Sequence, residues 1–87
     1  MPLQNGVPLP HEGRARYALP NSHAVVIDLD SEHIVLEIHK KHVHELKELG
    51  WAETKTLTLQ AGDLQFFYYL KTPAASRWLN SLDVRMN

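Results

Sequence analysis

Two stretches of the chain carry the same hydrophobic alternation, thirty positions apart. The aligned apolar residues are Ile27, Leu29, Ile34, Leu36 and Ile38 in the first stretch and Leu57, Leu59, Leu64, Phe66 and Tyr68 in the second. Alternation with a period of two is typical of half-buried β-strands. A short polar turn interrupts each stretch, and a segment with helical spacing follows it. The pattern therefore predicts a hairpin followed by a helix, twice, in units 24–50 and 55–82.

The first unit supplies clear signals for each of its elements. Residues 24–29 are rich in β-branched side chains, which favour strands. Residues 30–32 are a polar turn, and residues 33–39 alternate cleanly. Apolar side chains in residues 40–49 then recur at a spacing near 3.6, which predicts a helix that Gly50 would end.

The second unit repeats this order with a stronger helix signal. Residues 56–60 alternate, and residues 64–70 are apolar on both faces, which is typical of a central strand. Thr72 can cap the following helix, with Pro73 at its first position. One apolar stripe then follows at helical spacing: Ala75, Trp78, Leu79 and Leu82.

These elements predict an α+β fold in the order (β)ββαββα. It has an antiparallel sheet of four strands, or five if residues 14–19 add an edge strand, and two helices packed on one face. Residues 1–13 contain three prolines and two glycines, which disfavour regular structure. We therefore expect a flexible N-terminal arm over 1–13 and a single domain over 14–87.

One side of the predicted sheet is a candidate binding surface. If the helices cover Ile34, Leu36, Phe66 and Tyr68, the opposite side is open. The residues expected there or beside it are Val35, Glu37, His39, Thr56, Thr58, Phe67, Tyr69 and Lys71. Aromatic side chains are enriched in protein interfaces. The sequence thus favours a protein-binding module, a regulator or inhibitor whose partner is another protein or a second copy of itself.

Two alternatives concern the same surface. Exposed aromatic rings can stack single-stranded bases, and Arg14 and Arg16 of the neighbouring segment, with Lys71, could meet phosphate. The formal net charge of −1 argues against a dedicated duplex-DNA binder, because phosphate neutralisation supplies most of such affinity. The N-terminal arm could instead cover the face. With a protein partner, Arg14, Arg16 and Tyr17 would provide additional contacts.

A third alternative rests on histidine, since all six lie in the first half of the chain. Imidazole is the commonest transition-metal ligand and titrates near neutral pH. His39, His42 and His44 are the candidate metal ligands, and protonation of the histidines would offer a pH switch. The zinc-protease pattern His-Glu-x-x-His is absent. The simpler interpretation is a set of solvent-exposed histidines without a metal.

Composition limits the remaining classes of function. The chain has no cysteine, which excludes disulfides and thiol catalysis. It contains no Gly-rich phosphate loop and no nucleophile elbow, so we predict a non-enzymatic protein without a cofactor. Apolar runs fall far short of the roughly 20 residues that span a bilayer, and residues 1–6 do not resemble a signal peptide. The expectation is a cytoplasmic protein with no membrane partner.

Overall fold

A computed structural model describes residues 3–4, 6–19, 22–45, 54–82 and 85–86, with side chains for all but 3, 4, 85 and 86. Its strands are β1 (Leu3–Gln4), β2 (Val7–Pro8), β3 (Ala15–Ala18), β4 (Val25–Asp28), β5 (His33–His39), β6 (Lys55–Ala61), β7 (Leu64–Leu70) and β8 (Arg85–Met86). The described α-helix is α1 (Pro73–Asn80), and two 3₁₀ segments cover Pro10–Glu12 and Lys40–Glu45.

The described strands form a hairpin, β1–β2, and a six-stranded sheet with the order β6-β7-β5-β4-β3-β8. Every neighbouring pair in this sheet is antiparallel. The predicted antiparallel α+β architecture is confirmed. The suggested edge strand at 14–19 exists as β3, but it lies between β4 and β8 and is not an edge.

The second predicted helix is present as α1, whereas the described part of the first is a 3₁₀ segment. α1 begins as expected, because the Thr72 hydroxyl accepts a hydrogen bond from the Ala75 N–H at 3.1 Å and Pro73 fills the first position. Residues 40–45 of the other predicted helix form a 3₁₀ segment. Its start is tied down locally, since the Lys41 N–H donates to His39 Nδ1 and the Lys40 N–H donates to the Asp63 carbonyl. The remainder of this predicted helix, 46–49, lies outside the described residues, as does Gly50.

The register between β5 and β7 decides which residues share a face. Ile34 pairs with Tyr69, and Leu36 pairs with Phe67. Directly opposed residues point to the same side of a sheet, so this side, which α1 covers, is called the helix face. The intervening pair of Val35 with Tyr68 lies on the other side. The prediction placed Phe66 and Tyr68 with Ile34 and Leu36, and it was wrong by one residue, which reverses a whole strand.

Each face has its own buried cluster. On the helix face the buried residues are Val26, Ile34, Leu36, Tyr69, Ala75 and Leu79. On the other side they are Ile27, Leu29, Val35, Phe66 and Tyr68. Residues 6–13 lie against this second side, which is called the arm face.

The arm makes specific contacts with the sheet. Val7 packs against the arm-face cluster, and the Pro8 carbonyl accepts a hydrogen bond from the Tyr68 hydroxyl at 3.0 Å. Gly13 approaches β4 so closely that a Cβ there would overlap Ile27 Cγ2. One alternative predicted that the arm covers the face of Phe67 and Tyr69. The arm instead covers the opposite face, which carries Phe66 and Tyr68.

Candidate functional site

The residues predicted to form one open surface lie on two different sides of the sheet. Val35 is fully buried on the arm face, where Glu37 and His39 are half-buried. Phe67 and Tyr69 belong to the helix face, and Tyr69 is only 7% exposed. The prediction of a single open aromatic face is therefore wrong. Thr58, which pairs with Phe67, is exposed, as is Thr56 beside the irregularity in the β6–β7 ladder.

The predicted cationic contacts are engaged within the chain. Lys71 Nζ lies 2.6 Å from Asp28 Oδ1 and 3.1 Å from the Asp30 carbonyl, and its side chain is only 11% exposed. Arg14 also pairs with Asp28, at 3.2 Å.

Arg16 Nη2 lies 2.9 Å from Glu37 Oε1, and both side chains are largely covered. Tyr17 packs against the helix-face cluster. Arg14 is 56% exposed, whereas Arg16 and Lys71 are largely covered, so together they do not form the exposed phosphate-binding patch that the nucleic-acid alternative would use.

A cavity of about 380 Å³ lies between the arm and the sheet. The arm contributes residues 9–11 to its lining and β6 contributes residues 59–61. Phe66 and the Arg16–Glu37 ion pair complete the lining. The cavity is mostly apolar with one charged pair, which is the usual character of a ligand or side-chain pocket.

The cavity opens beside the edge strand β6. In the described part of the chain, no strand pairs with the outer edge of β6. Natural edge strands are commonly protected by proline or by inward charges. β6 has Lys55 and the ladder irregularity at its start, whereas residues 56–61 contain no proline and no charged side chain.

The turn after β6 indicates which backbone groups this edge presents. Ala61 and Leu64 flank the two-residue turn of Gly62 and Asp63, and Gly62 has the positive φ of 61° that primed hairpin turns require. Such a flanking pair is hydrogen-bonded, and bonded and non-bonded pairs alternate along the ladder. The N–H and C=O groups of Thr58 and Gln60 therefore point away from β7.

A second cluster combines histidine and carboxylate side chains near the end of β5. His23 Nδ1 lies 2.7 Å from Glu45 Oε1, and His42 Nδ1 lies 2.8 Å from Glu45 Oε2. The two imidazole rings stack, with centroids 3.8 Å apart and planes within 9°. The hydrogen bond from His23, followed by that from His42, lowers the pKa of the Glu45 carboxyl below its ordinary value.

This cluster differs from the histidine set predicted from the sequence. Of the predicted ligands His39, His42 and His44, only His42 belongs to it. His39 meets His42 edge-on, with a centroid distance of 6.4 Å, and contacts Asp63 at 3.6 Å. Sequence reasoning missed His23 and Glu45, although the three-residue spacing of His42 and Glu45 was a usable signal.

Comparison of the chain with protein-family models, with curated proteins and with solved structures found no significant match to any of them. Within the described residues, no helix has the length and apolar character needed to cross a membrane.

Proposed function

We propose that this chain is a non-enzymatic protein-binding module of the regulator or inhibitor kind, and that its outer β6 edge pairs with the same edge of a second copy. The observation that carries this proposal is the outer edge of β6, with which no described strand pairs, together with its self-complementary sequence. Strand addition uses the exposed N–H and C=O groups of an edge for affinity and its side chains for specificity.

The sequence of β6 matches itself when two copies run antiparallel about Thr58. Thr58 then faces Thr58 of the second copy, and the outward backbone groups of each can bond to the other. Leu57 faces Leu59 on the arm face, and Thr56 faces Gln60 on the helix face. A threonine pair of this kind stabilises an antiparallel ladder by about 0.2–1 kcal/mol.

The charges at the two ends of the edge favour the same arrangement. Lys55 stands at the start of β6 and Asp63 stands just beyond its end, and both are exposed. A two-fold axis at Thr58 brings Lys55 of one copy towards Asp63 of the other. Leu57 of the second copy also arrives beside Leu59, which lines the cavity, so pairing would extend the apolar wall of the cavity.

The other ligand class weighed from the sequence receives less support. Base stacking needs exposed rings, and Tyr69 is buried while Phe67 lies partly buried with Lys55 Nζ 5.5 Å from its ring centre. The cationic side chains expected to contact phosphate also form ion pairs within the chain, which makes them less available: Arg14, Arg16 and Lys71.

Light scattering of two Thr58 variants, alone and mixed, tests the proposal. Thr58→Lys places two like charges across the axis, so we expect the dimer mass of the wild type to fall to that of a monomer. Thr58→Glu should do the same. An equimolar mixture of the two variants should recover the dimer mass, because opposite charges then face each other.

Asn80→Lys is the matched control, because it adds the same charge at an exposed position of α1, away from the edge. It should keep the wild-type mass. A monomeric wild type, or a dimer that persists in both Thr58 variants, would contradict the proposed partner and the proposed edge.

A further inference from the structure

Three metal-ligating side chains converge from two separate segments of the chain. His23 lies between β3 and β4, whereas His42 and Glu45 lie in the 3₁₀ segment Lys40–Glu45. One potential ligand atom from each of the three lies within 4.8 Å of the others. His23 is far from His42 and Glu45 in the sequence, so the three side chains meet because the chain is folded.

The donor set has a recognisable chemistry. Two imidazole nitrogens and one carboxylate oxygen are common protein ligands of Zn²⁺ at sites that keep a fourth position open. Zn²⁺ ligands must be deprotonated. His23 and His42 both hydrogen-bond to the carboxylate of Glu45, at 2.7 and 2.8 Å. In the described geometry both Nδ1 atoms point at this carboxylate, so an ion there would take the place of the two Nδ1 hydrogens, and each neutral ring would carry its hydrogen on Nε2 instead.

We propose that His23, His42 and Glu45 form a binding site for one divalent transition-metal ion, with Zn²⁺ as the cation that fits the donor set best. The site is independent of the proposed edge pairing of β6. A water molecule or an external ligand completes the coordination.

Binding requires a local adjustment of the side chains. With bonds of about 2.0–2.2 Å, tetrahedral ligand atoms lie roughly 3.3 Å apart, whereas the two nitrogen–oxygen separations are 2.7 and 2.8 Å. The stacked rings must also tilt apart so that each nitrogen lone pair points at the ion. The side chain of His23 is 61% exposed and can rotate without disturbing the core.

Binding of the ion would connect the β3–β4 loop to the segment that follows β5. An ion that binds only the folded chain raises its stability by mass action. The expected consequences are one bound ion per chain and a higher melting temperature in the presence of Zn²⁺.

The test titrates untagged protein with Zn²⁺ by calorimetry and with Co²⁺ by visible absorption, which reports tetrahedral coordination. Wild type should bind one ion per chain. His23→Ala and Glu45→Gln should each weaken binding at least about tenfold, the lower end of what lost metal-site contacts cost. Both replaced side chains are exposed, and circular dichroism would check that the variants remain folded.

His44→Ala and His11→Ala are the matched controls, because both remove an exposed histidine outside the cluster. They should keep the wild-type affinity for Zn²⁺. The site is refuted if wild type binds no ion at millimolar Zn²⁺, or if the controls lose as much affinity as His23→Ala. Dimer mass does not enter this result, so either proposal can fail alone.

Discussion

The two faces of the central sheet are covered in different ways. α1 covers the helix face with a regular stripe, of which Ala75 and Leu79 are buried, and its start is fixed by the Thr72 cap. Residues 6–13, which include β2 and a short 3₁₀ segment, cover the arm face and touch the sheet at a few points, chiefly Val7 and the Pro8 carbonyl. One cover is held by burial of a periodic surface and the other by a small number of local contacts.

This difference has consequences for both stability and function. A periodic cover packs continuously, whereas the arm leaves a cavity of about 380 Å³ between itself and the sheet. The cavity and the open edge of β6 lie side by side, because residues 59–61 belong to both. Loosening of the arm should therefore change the surface available to a partner, whereas loosening of α1 should damage the core.

The largest effect is expected from Leu79→Ala, which removes the buried anchor of α1. Large-to-small changes of this kind cost the lost burial plus a cavity, so we expect a loss of about 2–4 kcal/mol in the free energy of unfolding. Urea denaturation followed by circular dichroism measures it. Domains of this size have roughly 4–13 kcal/mol in total, so the variant should be much less stable.

Asn80→Ala is the matched control, because the neighbouring residue of the same helix is exposed. It should change the free energy of unfolding by less than about 0.5 kcal/mol. A Leu79→Ala variant as stable as Asn80→Ala would mean that α1 contributes little to the helix-face core.

A smaller effect is expected from Gly13→Ala on the arm face. The added Cβ would overlap Ile27 Cγ2, and the branched side chain of Ile27 has little room to turn because it is fully buried. We expect a loss of about 1–3 kcal/mol from this overpacking. Limited proteolysis should also cut the arm faster, since residues on both sides of Gly13 must move away from β4.

Gly62→Ala separates crowding from backbone strain. Gly62 has a positive φ and nothing within 4 Å of its missing Cβ, so its replacement strains the turn without a clash. It should lower stability without exposing the arm to protease. An arm that stays protected in Gly13→Ala would show that the close approach to Ile27 is not what positions it.

The sequence was informative where the covering element is periodic. Thr72, Pro73 and the stripe containing Leu79 were sufficient to place α1, and the alternation in β5 was sufficient to place that strand. β7 is apolar on both sides, so its pattern could not show which of its residues lie on the side that α1 covers. Its register depends on the turn at Gly62 and on pairing with β5, and both are set in three dimensions.

The candidate sites were harder to predict for the same reason. The edge character of β6 follows from the strand order, which alternation does not determine. His23 joins His42 and Glu45 only because the β3–β4 loop reaches the segment after β5. Nothing in the local sequence around His23 indicates that contact, whereas the spacing of His42 and Glu45 does indicate that these two can meet.

The smallest effect, Tyr68→Phe, tests a hydrogen bond between the arm and the sheet. Loss of the bond from the Tyr68 hydroxyl to the Pro8 carbonyl should cost about 0.5–1.5 kcal/mol at neutral pH. Burial, with a smaller effect of the Glu12 charge, raises the pKa of Tyr68 to about 12 from an ordinary value of 10.0. The folded protein thus favours the neutral phenol.

The pH dependence of this contribution has a definite sign. A raised pKa stabilises the fold fully below about pH 10, and the contribution is lost as the pH rises towards 12. Wild type should therefore lose stability between about pH 10 and 12 more steeply than Tyr68→Phe, as measured by urea denaturation at each pH. Burial also raises the pKa of Tyr69 on the helix face, so Tyr69→Phe should flatten the profile too, by less. If the free energy of unfolding depends on pH in the same way for wild type and Tyr68→Phe, ionisation of the Tyr68 phenol does not destabilise the fold.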